Sequence, residues 1–335
     1  MLPGMLTPLI GLPDEMLVAV LGGRWGFEVA SLEYAPLGFG SHHWRVSGVG
    51  GRRWFVTVDE LRPRTLGEPS AAAFERLRAA LATARQLSAG GLDFVVAPIP
   101  DRDDEVVARI GEHYAVACYP LLAGRQFAWG EFRDDAHRRA AFDMIVAVHS
   151  APVAAVARAD DFTVAHRDEF DWALAGERVD RGPYAEPMAE LIASAADEIR
   201  AAWRRYDDLA VTARTADPVL THGEPHAGNT MLTPEGWRLI DWDTALLAPP
   251  ERDLWDLDPG DGSLLRDYAA ATGVTPRPDL LDLYRLRWDL TDAAEYVHRF
   301  RHPHTDSADA AESWKGLCEN ISRLTGAAPA RATTS

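Results

Sequence analysis

The sequence predicts an α+β protein of two lobes, a small β-rich lobe followed by a larger, mainly helical one. Three observations carry this. Turn glycines separate β-branched and aromatic runs over the first third of the chain. Apolar residues recur at helical spacing through most of the remainder. Between them in character, residues 219–247 return to short strand-like runs around loops. The 335 residues suffice for about two domains.

Residues 32–37 are a short apolar stretch that runs into Gly38-Phe39-Gly40-Ser41. Trp44-Arg45-Val46, a turn at 48–51 and Trp54-Phe55-Val56-Thr57-Val58 follow, the pattern of antiparallel hairpins. From 70 to 88, Phe74, Leu77, Leu81, Ala84 and Leu87 fall at helical spacing, and Gly90-Gly91 ends the segment. Two more strands are expected at 94–97 and 113–119, with Pro120 closing the second, and 121–124 reads as a connector. Helices are expected over 136–149, 185–206, 280–300 and 308–324. The expected boundaries are therefore 1–118 for the N-terminal lobe, 119–124 for the connector and 125–325 for the C-terminal lobe. The small, polar tail 326–335 is expected to be disordered.

Composition narrows the function. Thirty-four basic against fifty-one acidic residues give a formal charge of −17, a field that repels nucleic-acid backbones and anionic membranes and suits a cationic ligand. Lys315 is the one lysine; every other permanent side-chain cation is an arginine. Cys118 and Cys318 lie far apart with no metal-type spacing, which fits a reducing cytoplasm. The apolar start lacks a basic region and is broken by prolines, unlike a signal peptide. No apolar run reaches the roughly 18–20 residues that span a bilayer. The acidic runs 101–105 and 256–261 read as solvated loops.

Chemistry concentrates in 220–243, where His222-x-Glu224 is followed by Asn229, and the apolar Leu239-Ile240 by Asp241, twelve residues after Asn229. A loop carboxylate can accept a hydroxyl proton or orient a nucleophile, while an amide oxygen and a second carboxylate hold a divalent cation that bridges phosphates. Asn occurs twice in the chain. The H-x-[D/E]-x4-N pattern is therefore expected by chance on the order of 0.01 times.

On these residues, and on Pro249-Pro250-Glu251-Arg252-Asp253-Leu254-Trp255, the chain resembles the aminoglycoside phosphotransferase family, and most of all its spectinomycin-phosphotransferase-like branch. The likeness runs roughly from 34 to 324. It implies a protein-kinase-like fold with a nucleotide-binding N-terminal lobe, ATP or GTP as phosphate donor, Mg2+, and a cationic antibiotic as small-molecule acceptor, with no nucleic-acid or membrane partner. It implies Glu224 as catalytic carboxylate where relatives have aspartate, Asn229 and Asp241 as the metal pair, and His222 and Asp253 as structural braces. Asp243 would stand behind the metal, and His226 would be scaffold. Gly38, Phe39, Gly40 and Ser41 resemble the nucleotide loop, and Cys118, Tyr119 and Leu121 the connector that meets the base. Thr57 stands where relatives carry a lysine, with Glu75 as that lysine's expected partner. Arg45, Arg52, Arg53 and Arg62 are four candidate replacements. For the acceptor, Asp289, Asp292 and Tyr296 share one helical face and Trp288 lies beside them, suited to an amine-bearing sugar or cyclitol. The implied activity is antibiotic phosphorylation conferring resistance. The alternatives are a metabolic kinase of choline, amino-alcohol or sugar hydroxyls, and a non-catalytic ligand-binding protein of the same fold.

Overall fold

The computed structural model describes residues 9, 11–37, 40–130, 132–152 and 156–326. A short helix, α1 (Asp14–Val20), continues as a π-helical turn, Leu21–Trp25, and stops at Gly26 in the left-handed region, φ +73°. Strands β1 (Val29–Ala35), β2 (Ser41–Gly48) and β3 (Arg53–Glu60) lead into α2 (Ser70–Ala89), then β4 (Ala108–Ile110) and β5 (Tyr114–Pro120). The five strands form one antiparallel sheet in the order β1-β2-β3-β5-β4.

Alternation decides what each face does. Trp44, Val46, Trp54, Val56, Val58, Val116 and Cys118 bury one face against Leu17, Leu21 and Trp25. The opposite face of β5 offers Ala115 and Ala117, small enough for α2 to seat Leu77 and Leu81.

The helical part starts with β6 (Arg125–Gln126) and α3 (Asp135–His149), whose first turn is capped by Asp134 accepting from the His137 N–H at 2.8 Å. Then come α4 (Arg167–Leu174), α5 (Ala185–Ser194), α6 (Ala196–Ala213), β7 (Val219–Thr221), β8 (Thr230–Thr233), β9 (Gly236–Leu239), β10 (Leu246–Ala248), α7 (Glu251–Leu257), α8 (Ser263–Thr272), α9 (Pro278–Arg301) and α10 (Ala308–Leu324). One core joins α4, α5, α6, α9 and α10 through Phe170, Trp203, Tyr206, Phe300 and Leu317. A second gathers Phe142, Ile145, Trp242, Leu254 and Tyr268, and takes in Ala84 and Leu87 of α2. That second core ties the sheet's helix to the strands that carry the motif. Among the described residues no helix is long and apolar enough to cross a membrane.

Several elements differ from expectation. Residues 94–97 form no strand: Val95 makes an isolated parallel bridge to Leu239, because a turn and two prolines leave no room for a ladder. The helix expected at 185–206 is two helices, broken at Ala195 (φ −118°, ψ 17°), and α6 runs on to Ala213. Helices α1 and α4 and the three-residue β4 were not anticipated, being too short to show a period. Residues 327–335, nearly all of the expected disordered tail, lie outside the described residues.

Phe142 is 1% exposed at the centre of the core that α2 shares. Phe142→Ala should lower the unfolding free energy by about 3–5 kcal/mol. Urea denaturation would show this as a lower midpoint at nearly unchanged slope; a midpoint like wild type would contradict the packing described.

Candidate active site

Strands β7 and β8 flank the 222–229 loop, and the connection from β9 to β10 carries Asp241 and Asp243. The loop is fixed from behind. Wholly buried Asp253, on α7, accepts hydrogen bonds from the N–H groups of His222 (2.8 Å) and Gly223 (2.6 Å) and from His149 Nε2 (3.0 Å). Burial pushes the Asp253 carboxyl up, but His149, Arg252 and His222 bring it below its ordinary value. His222 Nε2 donates to the Ile240 carbonyl (2.9 Å) and its Nδ1 accepts from the Glu224 N–H (3.2 Å). Those two bonds set one neutral tautomer, consistent with a pKa that burial lowers to about 4. Gly223 has φ +104°, and a Cβ there would collide with the Arg252 guanidinium, which bonds Thr221 and the Thr244 carbonyl.

Asn229 Nδ2 donates to the Glu224 carbonyl (2.9 Å), leaving Oδ1 as the amide's acceptor end. The Ile240 N–H bonds the Asn229 carbonyl (2.9 Å), which brings the next residue, Asp241, alongside. Asp241 holds φ +68°, an unfavourable conformation for a non-glycine residue and one the surrounding structure must enforce.

The carboxylates divide into two kinds. Burial raises both Asp241 and Asp243, and the charges of Glu224 and Asp59 raise both further; Asp241 also raises Asp243, whereas the hydrogen bond between the two side chains lowers Asp241. Burial lifts Asp59 to about 6, and the Ser41 hydroxyl donates to it at 2.5 Å. Glu224 behaves oppositely. Burial pushes it up, but His226, 3.8 Å away, with His222 and Arg252, brings it net below its ordinary value. One cleft thus holds an ionised glutamate beside aspartates that resist ionising without a cation. An amide oxygen and clustered carboxylates are the hard donors that Mg2+ takes, so these residues fit that ion.

The loop borders a pocket lined by Trp129, Gly223, Glu224, His226, Trp255, Asp256 and Trp288. Trp288 stacks on Trp129 (centroids 6.2 Å, 17°) and lies 5.7 Å from Trp255. Burial raises the Asp256 carboxyl, with Glu224 and Asp253 also raising it. Asp256 is therefore in α7 and faces this pocket, which corrects its reading as part of a solvated loop.

Of the residues expected at the acceptor, Trp288 lines the pocket. Asp289 is taken by Arg323 of α10, whose Nε donates at 2.7 Å. Asp292 is 8% exposed, raised by burial and also by the charge of Glu224. Tyr296 is 0% exposed, and a Cβ on Gly316 would collide with its ring, so it is a core residue and not an acceptor contact. The stripe at i, i+3 and i+7 is largely the one on which α10 packs. Sequence reasoning missed Trp129, Trp255 and Asp59. Only Asp59 had a local signal, since alternation along β3 puts Phe55, Thr57 and Asp59 on one face.

On the nucleotide side, Gly38 and Phe39 lie outside the described residues, Gly40 has φ +90°, and Ser41 opens β2. Cys118 is buried within β5 and its carbonyl accepts from the Ile99 N–H (2.6 Å); Tyr119 pairs with Phe55, and Leu121 follows the strand half-buried. Thr57 lies between His43 and Ala117. His43, stacked on Phe55 at 5.1 Å, has a pKa lowered by burial to about 4, so it supplies no charge at neutral pH. Arg62 bonds Glu60 and Glu295, at 2.9 and 3.4 Å. Arg52 and Arg53 are exposed at the start of β3. They lie about 20 Å along the strand from Asp59. Arg45 shares the face of Thr57 and lies 3.6 Å from Glu33. Glu75 bonds Arg78 on the surface (2.8 Å) and does not face Thr57's strand as a lysine partner would.

The profile of the phosphotransferase enzyme family matches residues 36–296. Protein StrN of Streptomyces griseus is 30% identical over 316 residues, covering 90% of this chain and 89% of that protein. Spectinomycin phosphotransferase APH(9)-Ia, solved with ADP and spectinomycin, superposes with a TM-score of 0.69 at 15% identity over 93% of this chain and 97% of that one. Amicoumacin kinase hAmiN, solved with AMP-PNP, Ca2+ and Ami, gives 0.57 at 12% identity over 93% and 94%. At those identities the two solved structures show a shared fold.

Asp59 has a pKa raised from 3.8 to about 6, so between those values the folded chain keeps a proton that the unfolded chain has released. Its contribution to stability is present below the lower value and lost as pH rises through the upper one. Asp59→Asn should therefore melt close to wild type near pH 4, gain on wild type progressively up to about pH 6, and keep that lead above it. Thermal melts in chelator across that range check it, and a gap independent of pH would refute the burial described.

Proposed function

The chain belongs to the phosphotransferase enzyme family, and from that premise we propose that it moves the γ-phosphate of ATP or GTP to a hydroxyl of an aminoglycoside-like or other natural-product antibiotic. The observation that carries the reading is the convergence of Glu224, Asn229 and Asp241 beside an aromatic, acidic pocket. The reading places this activity in the cytoplasm, where nucleotide and Mg2+ are available, with resistance as its outcome.

Glu224 is held ionised and lines the pocket, so it can orient the acceptor hydroxyl and take its proton. Asn229 and Asp241 would hold Mg2+, with Asp243 hydrogen-bonded behind Asp241. When bound there, the ion would supply the positive charge that offsets the phosphates' negative charge. Gly40 and its neighbours would bring backbone N–H groups to the phosphates. Catalysis on this reading is mainly positioning and electrostatics. Trp129, Trp255 and Trp288, with Asp256 and Glu224 at the edge, suit a ring that bears an amine, by stacking and cation–π attraction. The −17 formal charge favours the approach of such a cation.

One observation favours a second reading. Thr57 supplies no cation to the β3 position, as expected of a ligand-binding protein without turnover. The oxygen donor set weighs against that reading, since binding alone has no need of a metal. Mg2+-dependent release of nucleoside diphosphate separates them, assayed across aminoglycosides, spectinomycin, choline and ethanolamine. Release with an aminoglycoside-like acceptor supports the antibiotic kinase, and release with an amino alcohol alone moves the assignment to a metabolic kinase. Tight ligand binding with no release from any acceptor would establish the binder.

Asp241→Ala should abolish turnover while leaving the circular dichroism spectrum unchanged; a wild-type rate would end the metal assignment. Glu224→Gln should lower kcat by about 10²–10⁴-fold. Trp288→Ala should raise the acceptor KM by a factor of about 2–30, the equivalent of about 0.5–2 kcal/mol of cation–π attraction, with kcat nearly unchanged. Steady-state kinetics on the same acceptor reads both.

A further inference from the structure

A second group of metal-type side chains gathers where α4 meets α9, ten residues beyond Trp288 on α9. That is about 15 Å along the helix. The sequence offers two helical spacings there that the phosphotransferase site does not use. His166-x-x-Glu169 opens α4, and His298-x-x-x-His302 ends α9. His166 is 6% exposed and holds a left-handed backbone (φ 58°, ψ 18°) at the start of α4, and its N–H donates to the Arg64 carbonyl at 2.9 Å. A non-glycine residue held this way, with its ring turned into a cluster, is a position the fold enforces.

The contacts have the chemistry of a ligand set. One ligand atom each of His166, Glu169 and His298 lies within 4.8 Å of the others. His298 Nδ1 donates to Glu169 Oε1 at 2.7 Å, and His302 Nε2 lies 3.2 Å from Glu169 Oε2. The His166 and His298 rings stack with centroids 3.7 Å apart. His166 Nε2 lies 3.3 Å from Glu295 Oε2. A carboxylate there fixes the Nε2–H tautomer and leaves Nδ1 as the lone pair, the arrangement that commonly supports a metal-ligating histidine. Burial raises the Glu169 carboxyl, but His298 and His302 bring it down to about 2, so it is ionised at neutral pH. Arg301 Nε is 3.8 Å from Glu169, yet its Nη1 and Nη2 are bonded to Glu177 at 3.1 and 2.5 Å. Half-exposed His302 leaves an approach from solvent.

We propose that His166, Glu169 and His298 form a binding site for a transition-metal dication of the Zn2+ class, with Glu295 orienting His166 and His302 or water completing the coordination. Imidazole nitrogens and one carboxylate are the borderline donors such ions take, and they differ from the all-oxygen set at Asp241. The ion displaces the proton that His298 shares with Glu169, so uptake releases protons. Arg62 bonds Glu295 and the Arg64 carbonyl holds His166. An ion here therefore fastens the chain leaving β3 to α4 and α9.

The experiment uses the full chain, stripped with a chelator and titrated with ZnCl2 in excess MgCl2 by calorimetry, with CoCl2 as a visible probe. Stoichiometric uptake and a tetrahedral Co2+ spectrum are expected. His298→Gln, which keeps a donor toward Glu169, and His166→Asn, which tolerates the left-handed backbone, should each weaken uptake by at least about a hundredfold while remaining folded by circular dichroism. Asp241→Ala should bind Zn2+ as wild type does. No saturable uptake, equal uptake by the folded histidine variants, or loss of uptake in Asp241→Ala would each overturn the proposal. Turnover is not read, so the outcome is independent of the phosphotransferase reading.

Discussion

Asp253 accepts hydrogen bonds from the backbone N–H groups of His222 and Gly223 and from His149, and the geometry of the whole cleft depends on that carboxylate. A buried charge is tolerated only when its lone pairs are met, and three donors meet these. Because Asp253 sits in α7, the same bonds lock the 222–229 loop to the helix that carries Trp255 and Asp256. His222 then reaches across to the Ile240 carbonyl and sets the approach to Asp241. The loop, the metal-type donors and one pocket wall are thus placed by one buried group.

The cleft built on this brace is electrostatically one-sided. Burial raises Asp59, Asp241 and Asp243, the charge of Asp59 raises the other two, His43 is neutral, and Thr57 has no charge. Thr57, which the family resemblance puts in the place of a lysine, is followed two residues further along the same face of β3 by Asp59. An anionic nucleotide would be repelled by such a surface alone, so on the proposed reading a divalent cation held by Asn229 and Asp241 would supply the positive charge it needs. Such a cation would also favour the ionised form of Asp241, which burial and the charges of Glu224 and Asp59 oppose, and would so link nucleotide binding to metal binding.

What the sequence made legible follows how locally each feature is determined. Glu224, Asn229, Asp241 and Asp253 lie within thirty residues and come together through two short strand pairs, so their spacing already carried their geometry. The helix expected at 308–324 has the bounds of α10, because a Ser307 cap and a clean period mark it. Periodicity did less well at saying what covers a face. Asp289 and Tyr296 share a stripe of α9, but the stripe belongs to α10, which arrives from later in the chain. Trp129, Trp255 and Trp288 are three of eleven tryptophans and meet only in three dimensions. No local pattern selects them.

The glutamate at 224 can be placed on the same terms. Its N–H is held by His222 and its carbonyl by Asn229, so the backbone has no freedom to retract and offset the longer side chain. The additional methylene, relative to the aspartate of related enzymes, must therefore carry the carboxylate outward, by about an ångström. Outward is toward the tryptophan-lined pocket, where Glu224 and Asp256 share a wall. On the proposed reading, the acceptor hydroxyl that such a carboxylate meets would sit correspondingly deeper among the aromatic rings. The stacked Trp129 and Trp288 then determine which ring can present its hydroxyl at that depth. On the proposed reading, acceptor choice and the position of the Glu224 carboxylate are one property of the same loop.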